Sequence, residues 1–312
     1  MKKIKCLYLL AGALAVYDTN ATQESEFMKI CDTPLQTDLV MSTSHAPDDY
    51  TVHYVNPCYR LHVDVENAIN HLTVSDIDIT NGSVVNFADG GPIGSLIRYA
   101  SQHNAIPNPL GLTHSGLIIN DSPRVIYNTV RQLMPDNPMH NEYGGHLSQA
   151  EGEIILRNLM DNHKEKISAV QYKAKPEPFV MEAVGTAEEV LRMIPPFVRI
   201  SDFTSVLETY CGNVFVRTLN NGANHTQTTT FSQKYLGRQY EGLMTFIELI
   251  RAIKGENITE SNDRLFCSEV VARFYIENGY AVQMLMGKQL LASNVIPEMF
   301  GSGAGSRYDP LY

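Results

Sequence analysis

Three side chains able to work together as a hydrolytic site stand far apart in this 312-residue chain: Cys267, His114 and Glu182. Cys267 opens the run Cys267-Ser268-Glu269-Val270-Val271-Ala272-Arg273-Phe274-Tyr275. Val270, Val271, Phe274 and Tyr275 recur at helical spacing, and Gly279 stands where a C-terminal cap belongs, so the run predicts a short helix. A cysteine at a helix N-terminus meets unpaired N–H groups and the positive end of the dipole, which favour thiolate and hence nucleophilic attack. The competing reading is a small hydrophobe packed in a core, the commoner fate of a free cysteine.

His114 lies in Thr113-His114-Ser115-Gly116-Leu117-Ile118-Ile119, a run rich in strand formers, and alternation puts it on one face with Gly116 and Ile118. A strand holds an imidazole rigidly enough to take a thiol proton and return it to a leaving group. A lone strand histidine also serves as a packing residue, and Gly116 leaves room beside the ring. Glu182 sits inside Phe179-Val180-Met181-Glu182-Ala183-Val184, where burying a carboxylate is costly unless it is paired. Either it faces solvent on an edge strand or it meets a partner. An imidazolium is the natural one, because a carboxylate on its far nitrogen fixes the tautomer.

The elements that must position these residues follow in order. Val84 to Phe87, Thr113 to Ile119, Phe179 to Val184, Val198 to Ile200 and Val214 to Arg217 read as strands, as do His53 to Val55 and Tyr59 to Val63. Asp121-Ser122-Pro123-Arg124 reads as a turn that returns the 113–119 strand to Val125-Ile126-Tyr127 as a hairpin. Helices are expected over Ile93 to Gln102, Ser148 to His163, Thr228 to Lys234, Met244 to Lys254 and Ser268 to Asn278. Residues 131–175 read as a surface insertion. Strands in the middle and helices towards the end imply an α+β fold, an antiparallel sheet packed against a helix.

Composition bounds the class. Hydrophobic residues at 44% and charged residues at 19% describe a globular protein with a sizeable core. A net charge of −10 argues against nucleic acid as a partner and against electrostatic attachment to anionic lipid. Lys2, Lys3 and Lys5 followed by the apolar run Cys6 to Val16 and by Thr19-Asn20-Ala21 read as a signal peptide over 1–21, with a buried helix as its alternative. That run is short for a stable membrane span. Export to a periplasm or the exterior is therefore expected, and Cys31 and Cys58 could then close a loop, leaving Cys211 unpaired. Residues 22–75 read as an N-terminal extension, 76–300 as the catalytic domain and 301–312, rich in Gly and Ser, as a flexible tail. Five Asn-x-Ser/Thr sequons begin at Asn20, Asn81, Asn120, Asn224 and Asn257.

Gly82-Ser83-Val84-Val85, Gly94-Ser95-Leu96-Ile97-Arg98 leading to Thr113-His114-Ser115-Gly116, Met181-Glu182-Ala183, Leu236-Gly237-Arg238-Gln239-Tyr240 and Phe266-Cys267-Ser268-Glu269-Val270-Val271 occur in one order. That order resembles the circularly permuted NlpC/P60 proteins, the YiiX/YaeF-like branch of the papain-like cysteine hydrolases. The resemblance covers roughly residues 76–300. It implies a papain-like sheet packed on a helix whose N-terminus bears the nucleophile, with the histidine before the cysteine in the chain. Carried over, Cys267 is the nucleophile, His114 the general base and Glu182 the orienting residue, a position where related groups use His, Glu or Gln. Tyr240, from the family's Gly-x-x-Tyr segment, and its neighbour Gln239 become candidate oxyanion donors beside the Cys267 backbone N–H. Ser83 departs from the Asp usual in that turn.

The resemblance implies cleavage of an amide or ester bond, in cell-wall peptides by analogy with NlpC/P60 enzymes. Acyl hydrolases and acyltransferases acting on lipids share the permuted architecture, and a non-catalytic binding module could retain it without turnover. No cofactor is implied. His140-Asn141-Glu142-Tyr143-Gly144-Gly145-His146 gathers ligand types, but its spacing does not match a zinc helix. The scattered His45, His53, His62 and His71 lack ligand spacing, so no metal is expected. The oligomeric state has no signature in the sequence.

Overall fold

The computed structural model describes residues 50–53, 59–64, 79–89, 111–143, 146–169, 175–184, 196–210, 212–219, 221–240, 264–280, 284–285, 288–289 and 297–300. The leader at 1–21, Cys31, Cys58, Cys211, the helices expected at 93–102 and 244–254, and the 301–312 tail lie outside these residues.

The protein is α+β. Its main sheet contains β1 (Tyr50–His53), β2 (Tyr59–Asp64), β3 (Val84–Asp89), β4 (His114–Asp121), β5 (Glu177–Val184), β6 (Phe197–Asp202), β7 (Gly212–Arg217), β8 (Gln239–Tyr240) and β9 (Arg264–Leu265). Their spatial order is β1-β2-β7-β3-β4-β5-β6-β8-β9. The run from β7 through β8 is antiparallel throughout, while β2 lies parallel to β7 and β9 parallel to β8. The helices are α1 (Pro123–Gln132), α2 (Gln149–Ser168), α3 (Phe203–Thr209), α4 (His225–Tyr235) and α5 (Cys267–Glu277).

Both faces of the sheet are covered, which is why its strands are apolar at consecutive positions rather than alternately. Val84, Leu117, Ile119 and Met181 pack on one side with Ile126 and Val130 of α1, Leu159 of α2, Phe231 of α4, and Val270 and Phe274 of α5. Val85, Phe87, Ile118 and Val180 pack on the other with Phe203 and Leu207 of α3 and with Leu61 and Val63 of β2. The N-terminal extension is thus continuous with the sheet: it contributes β1 and β2, and Leu61 and Val63 are fully buried.

The hairpin expected after β4 is a helix instead. Ser122 caps α1 by accepting from the Val125 N–H, and Pro123 occupies the first turn, where its missing N–H costs nothing. The β-branched pair Val125-Ile126 suggested a strand, but Ile126 and Val130 fall on one helical face against the sheet. The next strand to pair with β4 is β5, roughly sixty residues along the chain, on the edge opposite β3.

The segment read as a surface insertion also has a core-facing side. A Ser148/Glu151 capping box opens α2, and Ile155, Leu159 and His163 are buried. His163 leaves helical geometry (φ −133°, ψ 21°) and bonds through Nε2 to Asp202 Oδ1 at 2.9 Å. Asp202 in turn caps α3 by accepting from the Ser205 N–H and hydroxyl. Burial opposes the Asp202 charge, but the bonds to His163 and Ser205 outweigh it and hold the carboxyl below its usual range.

Two of the sequons are committed structurally. Asn81 Nδ2 donates to Thr228 Oγ1, and Asn120 Nδ2 donates to the Ile79 carbonyl. Among the described residues no helix is long and apolar enough to cross a membrane.

Gly116 is where two faces of the design meet. A Cβ there would stand 2.5 Å from Val180 Cγ1 and 3.4 Å from Glu182 Cβ. Gly116→Ala is therefore expected to lower the urea midpoint by the equivalent of about 1–3 kcal/mol, the usual cost of overpacking a stiff core. An unchanged midpoint would show that β5 moves freely there.

Candidate active site

The helix α5 is buried over its first nine residues, Cys267 through Tyr275, and packs on β4 and β5. Its polar members pair within it: Arg273 Nε and Nη2 donate to Glu269 Oε1 at 3.0 and 2.8 Å. This pairs a buried carboxylate in the first turn of the helix with a buried guanidinium in the next. Phe266 supplies no side-chain cap. Gly279, with φ +75°, ends the helix as its position in the sequence implies.

The sheet explains how a helix end reaches a strand. The Ile118 N–H donates to the Ser83 carbonyl, so even-numbered residues of β4 bond to β3 and odd-numbered ones turn their N–H groups towards β5. Pairing of β4 with β5 runs only as far as Leu117↔Met181, although β4 continues to His114 and β5 to Val184. Beyond that pair the ladder stops, and the Ser115 N–H donates to the Cys267 sulfur instead. The Ser268 N–H, from the first turn of α5, donates to the same sulfur.

His114 and Glu182 lie diagonally across this opening, and His114 Nε2 is 2.7 Å from Glu182 Oε2. The other ring nitrogen, Nδ1, is left for the hydrogen bond that His114 makes with Cys267. Phe87, directly opposite His114 on β3, holds the ring with its centroid 5.4 Å away, and Tyr210 meets Phe87 edge-on at 5.1 Å. The His114 side chain is 23% exposed and Glu182 only 6%. The imidazole therefore reaches solvent while the carboxylate behind it is sealed.

Charge follows from this geometry. Burial works against an imidazolium at His114, but the Cys267 thiolate and the Glu182 carboxylate outweigh it and push its pKa up to about 10. Burial likewise works against a thiolate at Cys267. The charge and hydrogen bond of His114, then the Ser115 and Ser268 N–H groups, outweigh it and lower the thiol pKa. Both shifts favour thiolate and imidazolium over the neutral pair, and that is the form that attacks a carbonyl without first losing a proton.

Of the two candidate oxyanion donors, β8 turns Tyr240 towards the site. Burial and the nearby Cys267 charge both keep the Tyr240 proton on its oxygen. Gln239, its neighbour on the strand, is exposed. The parallel pairing Tyr240↔Leu265 brings Tyr240 beside the strand that leads into Cys267. Reading the sequence did not find the Ser115 and Ser268 donors, since a backbone N–H carries no residue signature. Nor did it find Phe87, which only the register of β3 against β4 places beside the imidazole. Among the described residues no group of His, Cys, Asp and Glu is arranged to hold a metal ion.

Comparison of the chain with family models, with curated proteins and with solved structures finds no match.

The pair makes stability and reactivity depend on pH in opposite directions at its two ends. His114, raised from its ordinary 6.5, contributes stability that is complete below that value and lost as pH rises through about 10. Cys267, lowered from 9.0, contributes stability present above that value and lost as pH falls through its depressed pKa. Alkylation of Cys267 by iodoacetamide is expected to level off well below the ordinary thiol midpoint of about 8.5 and stay level to about pH 10. Glu182→Gln should move that midpoint upward and slow alkylation at pH 6 by about tenfold. A wild-type profile with one midpoint near 8.5 would contradict the ion pair.

Proposed function

We propose that this protein is a cysteine hydrolase that cleaves an amide or ester bond, with Cys267 as nucleophile, His114 as general acid and base, and Glu182 as the residue that orients the imidazole. The observation that carries the proposal is the continuous line from thiol to imidazole to sealed carboxylate, with the thiol held towards its anion. A core cysteine packed as a hydrophobe has no reason to be served by two N–H donors and an imidazole.

The reaction proceeds in two displacements. The Cys267 thiolate adds to the carbonyl carbon, and the carbonyl oxygen becomes an oxyanion. As the tetrahedral species collapses, the bond to the leaving group breaks and the His114 imidazolium gives that group its proton. Water then attacks the thioester, His114 takes the proton from water, and Cys267 leaves as thiolate with the free carboxylic acid as product. Glu182 stabilises the imidazolium in both halves without taking its proton. Tyr240 donates a hydrogen bond from its hydroxyl to the oxyanion. The proton is available because Tyr240 is held un-ionised beside the thiolate.

The order of these residues, base before nucleophile, the strand bearing the base and the helix bearing the thiol support a permuted papain-like architecture of the NlpC/P60 kind. On that reading the substrate is a cell-wall peptide and the enzyme works outside the cytoplasm. The apolar leader pattern at 1–21 supports export, and the net charge of −10 disfavours a nucleic-acid substrate.

Intact-mass measurement on the purified protein, with peptidoglycan fragments and phospholipids in separate arms, is expected to capture an acyl adduct on Cys267 from the peptide arm. Capture from the lipid arm alone would reassign the substrate to lipid acyl groups, and capture from neither would count against turnover. Cys267→Ala should abolish hydrolysis with folding unchanged. His114→Ala should lower it by about 10²–10⁴-fold. Tyr240→Phe should lower kcat by about 10²-fold with little change in KM.

A further inference from the structure

Gly116 is buried in β4, and side chains ring it on its face of the sheet. Val85 of β3 stands directly across from it on one side. On the other side, the register that pairs Ile118 with Val180 and Leu117 with Met181 points it at Glu182, one step past the end of the ladder. The missing side chain leaves a slot, and Val180 leans into it. A Cβ on Gly116 would stand 2.5 Å from Val180 Cγ1, 3.3 Å from Val85 Cγ1 and 3.4 Å from Glu182 Cβ. The first distance falls about 1 Å short of the separation, roughly 3.5 Å, at which two carbons sit in contact. The backbone of Gly116 pairs regularly with β3 and lacks the positive φ of Gly82 or Gly279, so space and not backbone strain excludes a side chain.

Val180 has little room to step aside. It is 0% exposed, lies directly across from Ile118, and packs in one cluster with Phe203 and Leu207 of α3. Its branched Cβ restricts it to few rotamers. A methyl at residue 116 would therefore push on β5 itself, by roughly 1 Å, rather than on a flexible side-chain tip. Glu182 lies two residues further along β5, past the last pair that bonds this strand to β4. Its hold on the imidazole is the 2.7 Å bond to His114 Nε2, and roughly 1 Å of added separation takes such a bond past its limit of about 3.5 Å.

We infer that Gly116 is a positioning residue for the general base: carrying no side chain, it lets Val180 close over β4, and that approach keeps β5 near enough for Glu182 to reach His114 across the open end of the ladder. The inference rests on the hydrolase reading and deepens it, because it names what sets the reach of the orienting carboxylate.

The charged and titratable groups at this junction are Cys267 of α5, His114 of β4, Glu182 of β5, Tyr240 of β8, and Arg199, which stands across from Glu182 on β6. Glu269 and Arg273 on α5 pair with each other. Neither Gly116→Ala nor Val180→Ala removes any of these groups. A shift in thiol ionisation in these variants therefore reports groups that have moved.

The experiment is the pH profile of iodoacetamide alkylation for wild type, Gly116→Ala, Val180→Ala, Glu182→Ala and the doubles Gly116→Ala/Val180→Ala and Gly116→Ala/Glu182→Ala, with urea midpoints in parallel. Gly116→Ala is expected to move the alkylation midpoint to higher pH and slow the reaction at pH 6 by about tenfold, a shift of one pKa unit. Added to Glu182→Ala it should move the midpoint no further, because the bond it breaks is already gone. Val180→Ala alone should leave the midpoint in place. Combined with Gly116→Ala it should restore the wild-type midpoint, although the urea midpoint falls with the lost packing. An alkylation midpoint unmoved by Gly116→Ala, a shift that Val180→Ala does not rescue, or a shift that adds to that of Glu182→Ala would overturn the inference and leave the hydrolase reading intact. A wild-type midpoint near the ordinary thiol value of about 8.5 would overturn the hydrolase reading first and this inference with it. Should Gly116→Ala fail to fold, the Val180→Ala background decides. There Gly116→Ala should leave the midpoint in place and Gly116→Val should raise it, and equal midpoints would overturn the inference.

Discussion

The structure turns on a charge pair formed where burial disfavours both charges. A thiolate and an imidazolium each lose hydration at the junction of α5 with β4, and neither would exist there alone. Together, with Glu182 behind the ring and two N–H groups on the sulfur, each shifts the other towards its charged form. Removing any one member leaves another buried and uncompensated, so the site behaves as a unit.

That dependence sets a demand on the scaffold. The sulfur must be served by donors that do not move, and the sheet supplies one by leaving a ladder bond unmade. Pairing of β4 with β5 ends at Leu117↔Met181, and the N–H that would have continued it points at Cys267. An interrupted ladder would ordinarily be a weak place. Here the two strands remain joined by the 2.7 Å bond between His114 and Glu182 on one face. On the other, Ser115 is tied to Asn86. Val180 fills the space over Gly116 and keeps the strands close below the gap.

The remainder of the fold keeps this junction from shifting. The first nine residues of α5 are enclosed, with their one carboxylate and one guanidinium bonded to each other. The kink of α2 at His163 joins the helix to Asp202 at the end of β6, and the same carboxylate caps α3. Two helices on opposite faces of the sheet are thereby referred to one buried side chain. The residues read as an insertion thus help to hold the sheet's shape on the same face as the helix that bears the thiol.

The sequence by itself determined the elements whose signals are local. Strands β3 to β7, the helices α4 and α5, the Gly279 cap and the three residue types of the site follow from periodicity, capping chemistry and the cost of a carboxylate inside an apolar run. Local signals conflicted at Ser122-Pro123-Arg124-Val125-Ile126. There the β-branched pair argued for a strand and the Ser-Pro cap for a helix, and packing of Ile126 and Val130 decided for the helix. Only the tertiary structure decided what lies between elements. The register of β3 against β4 puts Phe87 beside His114. The end of the β4–β5 ladder frees the Ser115 N–H, and parallel pairing of β8 with β9 turns Tyr240 rather than Gln239 towards the sulfur. The physical reason is that residue type encodes side-chain chemistry and local backbone preference, whereas a backbone donor is the same in every residue. Where it points depends on which strands happen to stand on either side of it.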